Sequence, residues 1–326
     1  MTYKLKNQML SVVLLLSSTT FFTSCKKAIL SEDTSVVQAE AGTKKLANNQ
    51  AGKSSSIFGN GVNLQPSYYN GGNPNFGWSL MKSQTKIKTV RIEIEPGYVT
   101  QAKSWISQAR NNGYAVIATY HNKNVLGSDN SGAVTTAANW WKTNYSNLAS
   151  AGSFTINLIN EWGSHNISSN NFASTYNTAI SIVRTVYGGR IIIDIPGYGQ
   201  ETKTGYDAVK GTNGTKINDA NIIMSAHIYP GAYNQGRNRY VTNADLNELN
   251  SCGRDCMLGE FGNSGGSGAN WSGLVDYAKG LGWAVMAWAW NGDGGSMNMV
   301  SPAWSSNGAA TSFSLSSYFN TAYGKL

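Results

Sequence analysis

Two glutamates in this chain stand where paired acid chemistry could be carried out. Residues 154–163 (FTINLINEWG) open as a short apolar run, the pattern of a strand buried on both faces, and end in Asn160, Glu161 and Trp162. A carboxylate at the end of a buried strand must be paired, hydrogen-bonded or put to use in a reaction. Residues 257–262 (MLGEFG) repeat the arrangement and place Glu260. Hydrolysis of a glycosidic bond requires one carboxylic acid to protonate the leaving oxygen and a second carboxylate opposite the anomeric carbon. One such glutamate is more often structural, but two of them turn the reading toward catalysis. His227 and Tyr229 (SAHIYPG) could add an imidazole and a phenol, and Arg91 (VRIEI) a fixed positive charge.

These side chains need a scaffold that gathers strand ends. Strand patterns fall at 57–64, 88–93, 114–120, 154–161, 190–195, 221–227, 256–261 and 282–290. Helical spacing fills 99–111, 135–148, 171–187 and 271–279, with glycines at 113, 188, 189 and 280 as stops. The alternation predicts a parallel sheet closed by crossovers, and eight units make a (β/α)8 TIM barrel with its site at the C-terminal strand ends. Arg91, His121, Asn160, Glu161, His227, Tyr229, Glu260 and Trp288 all fall at such ends. No internal repeat or second domain is visible, so 57–326 reads as one catalytic domain.

The N-terminal residues read differently. Lys4 and Lys6 precede an apolar run at 9–16, and FTSC at 22–25 follows at the distance of a signal peptide. That ending is similar to a bacterial lipoprotein cleavage box, which implies a leader over 1–25 and lipidation of Cys25. Phe22 departs from the usual Leu, so cleavage at an ordinary signal site is the alternative. Residues 26–56, rich in Ser, Ala, Gly, Lys and Asn, are expected to form a flexible tether. Export then predicts a disulfide between the two remaining cysteines, Cys252 and Cys256.

Of the formal charge of +8, residues 1–56 contribute +4, from seven lysines and three acidic residues. The rest shows no dense basic cluster, which argues against nucleic acid. Low charge with ten Trp and seventeen Tyr suits a surface that stacks on neutral sugars. The three histidines lie on separate segments with no i, i+4 pair, so neither a metal nor another cofactor is expected.

On these motifs the chain resembles glycoside hydrolase family 5. The resemblance spans about 57–300 and rests on Arg91 in VRIEI, His121 in ATYHN, Asn160 and Glu161 in INLINEWG, His227 and Tyr229 in SAHIYPG, Glu260 in LGEFGN, and Trp288 in MAWAWNGDGG. INLINEW, IDIPGYGQ and WAWNGDGG look most like the bacterial endo-β-1,4-mannanases of that family. The resemblance implies a retaining enzyme with Glu161 as acid/base and Glu260 as nucleophile. Asn160 would hold the substrate 2-hydroxyl, Tyr229 would hydrogen-bond the nucleophile, Arg91 would face it, and His121 and His227 would line the acceptor side. Trp288 would be the sugar platform, with Trp290, of the same strand parity, able to exchange that role. Asn122 stands where relatives commonly have Asp, and the loop at 65–76 is unlike the mannanases.

Other readings remain beside this one. Trp162, next to Glu161, is a candidate sugar contact at the cleft rim. Trp105, Trp140 and Trp141 read as helix-packing residues, His165 as an exposed loop residue, and Asp194 as a support for its own strand and that strand's neighbours. The G-x-S-x-G pattern at 262–266 lacks a following helix and a later histidine, so it reads as chance. The expected protein is a monomer acting on a neutral polysaccharide, with β-mannan favoured. An endo-β-1,4-glucanase or chitosanase on the same frame is the alternative, and a non-catalytic sugar-binding lipoprotein a more remote one. Contact with a membrane is expected only through the lipid anchor.

Overall fold

The computed structural model describes residues 58–326. The expected leader, Cys25 and the tether lie outside the described residues. Eight parallel strands close in the order β1-β8-β7-β6-β5-β4-β3-β2. They are β1 (Gly61–Leu64), β2 (Thr89–Ile94), β3 (Ala115–Tyr120), β4 (Thr155–Asn157), β5 (Ile191–Asp194), β6 (Ile222–Ile228), β7 (Asp255–Phe261) and β8 (Ala284–Asn291). This is the (β/α)8 barrel that the alternation predicts, and every expected strand is present within a few residues of its expected bounds.

The helices wrapping the barrel are α1 (Trp78–Lys82), α2 (Val99–Asn111), α3 (Ser131–Ala149), α4 (Ser169–Val183), α5 (Thr202–Lys210), α6 (Asn243–Asn250), α7 (Trp271–Gly280) and α8 (Phe319–Tyr323). Periodicity reveals α2, α3, α4 and α7. The short α1, α5, α6 and α8 escape it, because five to nine residues give too few turns to establish a period. Asn130 and Ser168 cap α3 and α4, accepting the backbone N–H of Gly132 and Asn171. Among the described residues, no helix is long and apolar enough to cross a membrane.

Inside the barrel, Ile117, Ile192, Ile223, Met257 and Met286 meet in an apolar layer beneath which Phe58 is buried. Two residues further along the same strands, the inward positions become polar: Thr119 follows Ile117, Asp194 follows Ile192, and Ser225 follows Ile223. The larger apolar cluster lies between the strands and the helices. Trp105 and Trp141 are fully buried in it, as expected of packing residues, and Trp140 lies partly buried against it.

Cys252 and Cys256 are both buried just before and within β7, with Sγ of Cys256 3.6 Å from the carbonyl oxygens of Leu249 and Arg254.

Candidate active site

Glu161 and Glu260 come to the centre by local departures from regular strand geometry. β4 ends at Asn157, and the chain then turns so that Glu161 takes a left-handed backbone, φ +47°. On β7 the pairing with β6 shifts register between Ala226 and His227, so His227 pairs with Glu260. A second shift lies between β8 and β7. Strict alternation from Met257 and Gly259 would turn Glu260 away from the axis, and such an irregularity re-aims the side chain inward. Gly259 is needed here for close approach: a Cβ on it would come within 2.3 Å of Ser225 Oγ and 2.9 Å of His227 Nε2.

One carboxylate oxygen from each glutamate and one ring nitrogen of His227 all lie within 4.8 Å of one another. His227 Nδ1 is 2.9 Å from Glu161 Oε1 and 3.5 Å from Glu260 Oε1. Its Nε2 faces Asp194 Oδ1 at 3.5 Å. The hydroxyl of Tyr229 donates to Glu260 Oε2 at 2.7 Å. Arg91, with no exposed surface, donates from Nη1 to Glu260 Oε1 (3.0 Å), Glu93 Oε1 (2.9 Å) and Asn63 Oδ1 (2.9 Å). Its Nη2 donates to Asn160 Oδ1 at 2.5 Å and its Nε to Asn157 Oδ1 at 3.1 Å.

The electrostatics separate these groups. Burial and the neighbouring Glu260 raise the Glu161 carboxyl above the ordinary range, even though His227 pulls it the other way. Burial opposes charge on His227, but Glu260 and Asp194 overcome it and hold the imidazolium well above its usual range. Burial also opposes ionisation of Asp194, yet His227 and Arg91 bring it down to about 2. Glu93 is pushed up to about 7 by burial, against the pull of His121 and Arg91.

Most of the sequence-predicted residues converge, but several stand differently from expectation. Trp162 is not at the rim. It is completely buried, stacked on Phe172 and donating Nε1–H to the carbonyl of Asn130 at 3.0 Å, because the left-handed turn at Glu161 sends the next side chain into the helix layer. Trp290 is likewise fully buried and donates to the carbonyl of Phe76 at 2.8 Å, so it cannot serve as the platform. Trp288 is part-exposed, joined to Ala289 by a cis peptide bond, and held by Asp293 Oδ1 at 2.9 Å.

His227 lies beneath the carboxylates with no exposed surface, not along an acceptor wall. His121 faces Glu95 at 2.9 Å and Glu93 at 3.6 Å, beside Tyr68. His165 is bound to buried Glu201 at 2.7 Å instead of standing free in a loop. Asp194 ties its strand to its neighbours, as read from the sequence: it accepts the backbone N–H of Glu161 at 3.2 Å and faces Arg91 at 3.4 Å.

Sequence reasoning misses Asn63, Glu93 and Asn157. The inward parity they share with Arg91 is the one signal that could have found them. Among the described residues, Glu161, His227 and Glu260 are the one His/Cys/Asp/Glu group close enough to converge on a metal ion. Arg91, 3.0 Å from Glu260, sets a fixed positive charge against a cation there.

The sequence of residues 61–294 matches the family model described as cellulase (glycosyl hydrolase family 5). The chain belongs to that family, and so to the glycoside hydrolases. No curated protein matches it significantly. Solved structures of similar fold include the catalytic domain of a mannanase from Streptomyces sp. SirexAA-E, at 20% identity and TM-score 0.62, covering 88% of this chain and 96% of that one. A β-mannanase from Thermomonospora fusca is 21% identical, with TM-score 0.63 over 82% of this chain and 89% of that one. An endoglucanase catalytic domain from Thermobifida fusca is 17% identical, with TM-score 0.64 over 82% and 90%. At these identities the likeness is one of fold.

Proposed function

We propose that the protein is a retaining, endo-acting β-1,4-glycosidase whose substrate is a neutral polysaccharide, β-mannan first. The observation that carries the mechanism is the approach of the Glu161 and Glu260 oxygens to within 4.8 Å. Retaining pairs stand roughly 5–5.5 Å apart, whereas inverting pairs stand roughly 6.5–9.5 Å apart to admit a water.

In the first step an oxygen of Glu260 bonds to the anomeric carbon as the glycosidic bond breaks, and the proton of Glu161 passes to the leaving oxygen. In the second, Glu161 takes a proton from water, whose oxygen displaces Glu260 and restores both carboxyls. Arg91 and Tyr229 orient Glu260 through its two oxygens. Asp194 holds the backbone of Glu161 and, with Glu260, keeps the His227 imidazolium charged beneath the pair. Asn160, fixed through its carbonyl oxygen by Arg91, is left with its amide N–H groups to offer a substrate hydroxyl. Trp288, Tyr68 and Tyr198 supply exposed or part-exposed rings for pyranose faces.

Mannan is favoured by the INLINEW and WAWNGDGG motifs and by the absence of concentrated positive charge that polyuronates would need. The solved mannanases of similar fold agree with this choice. The endoglucanase of similar fold keeps β-1,4-glucan as the second reading. Reducing-end release from mannan, glucomannan, carboxymethyl cellulose, xylan and chitosan, measured side by side, tests the substrate. Strongest release from mannan is expected, and release from cellulose or chitosan alone would reassign it. We also propose export with Cys252 and Cys256 joined, supported by their shared burial ahead of Glu260. Intact mass before and after reduction and alkylation checks the bond.

A further inference from the structure

Among the described residues, four non-glycines adopt a left-handed backbone: Asn70, Glu161, Tyr198 and Asn238. Asparagine enters this region readily, while glutamate and tyrosine do so at a steric cost. Glu161 is the proposed acid. Tyr198, φ +57°, follows β5 and is 41% exposed, one of five exposed large hydrophobic residues among those described. A strained residue whose ring remains in water contributes little to the core. Such strain persists only where the surroundings impose it, and it concentrates at functional sites.

The surroundings of Tyr198 do impose it. Gly197 donates its N–H to the carbonyl of Gly163 at 2.8 Å, and Gly199 donates to Ile195 at 3.0 Å, so both neighbours are pinned. The hydroxyl end of the ring rests on Gly127, where a Cβ would come within 2.4 Å of the Tyr198 oxygen. Gly127 in turn donates its N–H to the carbonyl of Glu161 at 2.8 Å. The loop supporting the ring therefore also holds the backbone of the proposed acid. On another side the ring meets His165, with centroids 5.9 Å apart. His165 is held by Glu201, a fully buried carboxylate that also accepts the backbone N–H of Gln235 at 2.6 Å and Gly236 at 3.0 Å. The loops after β3, β4, β5 and β6 are thus joined around one exposed tyrosine.

We propose that Tyr198 is a sugar platform on the leaving-group side of the cleft, a specificity-determining residue for the outgoing segment of the polysaccharide. This rests on the glycosidase reading above. The side follows from topology: β5 adjoins β4, which leads to Glu161, and lies across the barrel from β8 and β1. The acid protonates the leaving oxygen, so sugars on its side belong to the departing segment. The ligand is a neutral β-1,4-linked pyranose unit, whose apolar face stacks on the ring.

The test uses the full-length protein with para-nitrophenyl β-mannobioside and mannohexaose, run in parallel with the corresponding cello compounds. Tyr198→Asn removes the ring but suits a left-handed backbone, so the loop keeps its shape and the melting temperature should not fall. Its kcat/KM on the hexasaccharide should drop about five- to tenfold, mainly through KM, because binding shared by ground and transition states is lost. On the nitrophenyl substrate, whose leaving group reaches only the first position, it should stay within about twofold. Tyr198→Phe keeps the ring and should match the unaltered enzyme on both. Unchanged hexasaccharide kinetics in Tyr198→Asn would overturn the proposal, as would an equal loss on both substrates, which would mark a structural role exerted through Glu161. An unaltered enzyme that cleaves neither series removes the glycosidase reading itself, and this inference with it.

Discussion

The two layers inside the barrel use the same strands for opposite purposes. In the lower layer, Ile117, Ile192, Ile223, Met257 and Met286 fill the axis with apolar volume. Two residues higher, Asn63, Arg91, Thr119, Asn157, Asp194 and Ser225 replace it with buried polar and charged groups. There a single guanidinium contacts three carboxylates, those of Glu93, Asp194 and Glu260. Apolar contacts are non-directional and tolerate repacking, whereas buried charges demand exact partners and cost stability when any is missing. The barrel thus confines its chemistry to the upper layer, while the lower one holds the strands in place.

The largest effects should come from removing the upper glutamates. Glu260→Ala is expected to lower kcat/KM by at least about 10⁴-fold, with azide restoring turnover and inverting the product. Glu161→Ala should lose about 10²–10⁴-fold on polysaccharide, yet still form the glycosyl intermediate from substrates with good leaving groups. As the proposed acid, Glu161 would act protonated, and burial raises its carboxyl, so activity should persist above the ordinary carboxylate range and fall as pH rises through the raised value. That basic limb should vanish in Glu161→Gln; a limb that survives at comparable activity would reassign the acid.

A change in the lower layer should affect stability alone. Ile192→Ala deletes buried volume on the axis and should cost about 2–5 kcal/mol in denaturant unfolding. Activity per folded molecule should stay within about twofold. If activity falls further than the folded fraction does, the two layers are not separable.

The smallest effect probes the charge balance. Glu93 titrates at about 7 when folded, above its unfolded value of about 4.3. Between those values the folded protein binds more protons, so this group contributes a loss of stability as pH rises across the window. Glu93→Gln removes that loss. The melting temperature of the variant relative to the unaltered protein should rise between pH 5 and pH 8, by about 2–4 °C for each kcal/mol. A relative fall would mean that the ionised Glu93–Arg91 pair outweighs its burial.

The positions of the site residues along the chain were legible because strand ends have a recognisable pattern, but side-chain direction was not. Trp162 and Trp290 follow or share strands with the proposed site residues and are nonetheless completely buried. One left-handed residue diverts the first, and register shifts between β8 and its neighbours break the parity on which the second was judged. His227 could be placed at a strand end, but not beneath both carboxylates.

What the sequence by itself determined is the alternation of strand and helix, its count of eight units, and the placing of Glu161 and Glu260 at strand ends. Hydrophobic periodicity and turn residues are local signals, readable from neighbours a few positions away. Only the tertiary structure decided that Arg91 serves Glu93, Asp194 and Glu260 together, and that Asp194 positions Glu161 from the next strand. It also decided that Tyr198 is held exposed above Gly127 and His165. Those relations join residues up to 169 positions apart, and they depend on barrel closure and register, which no local pattern encodes.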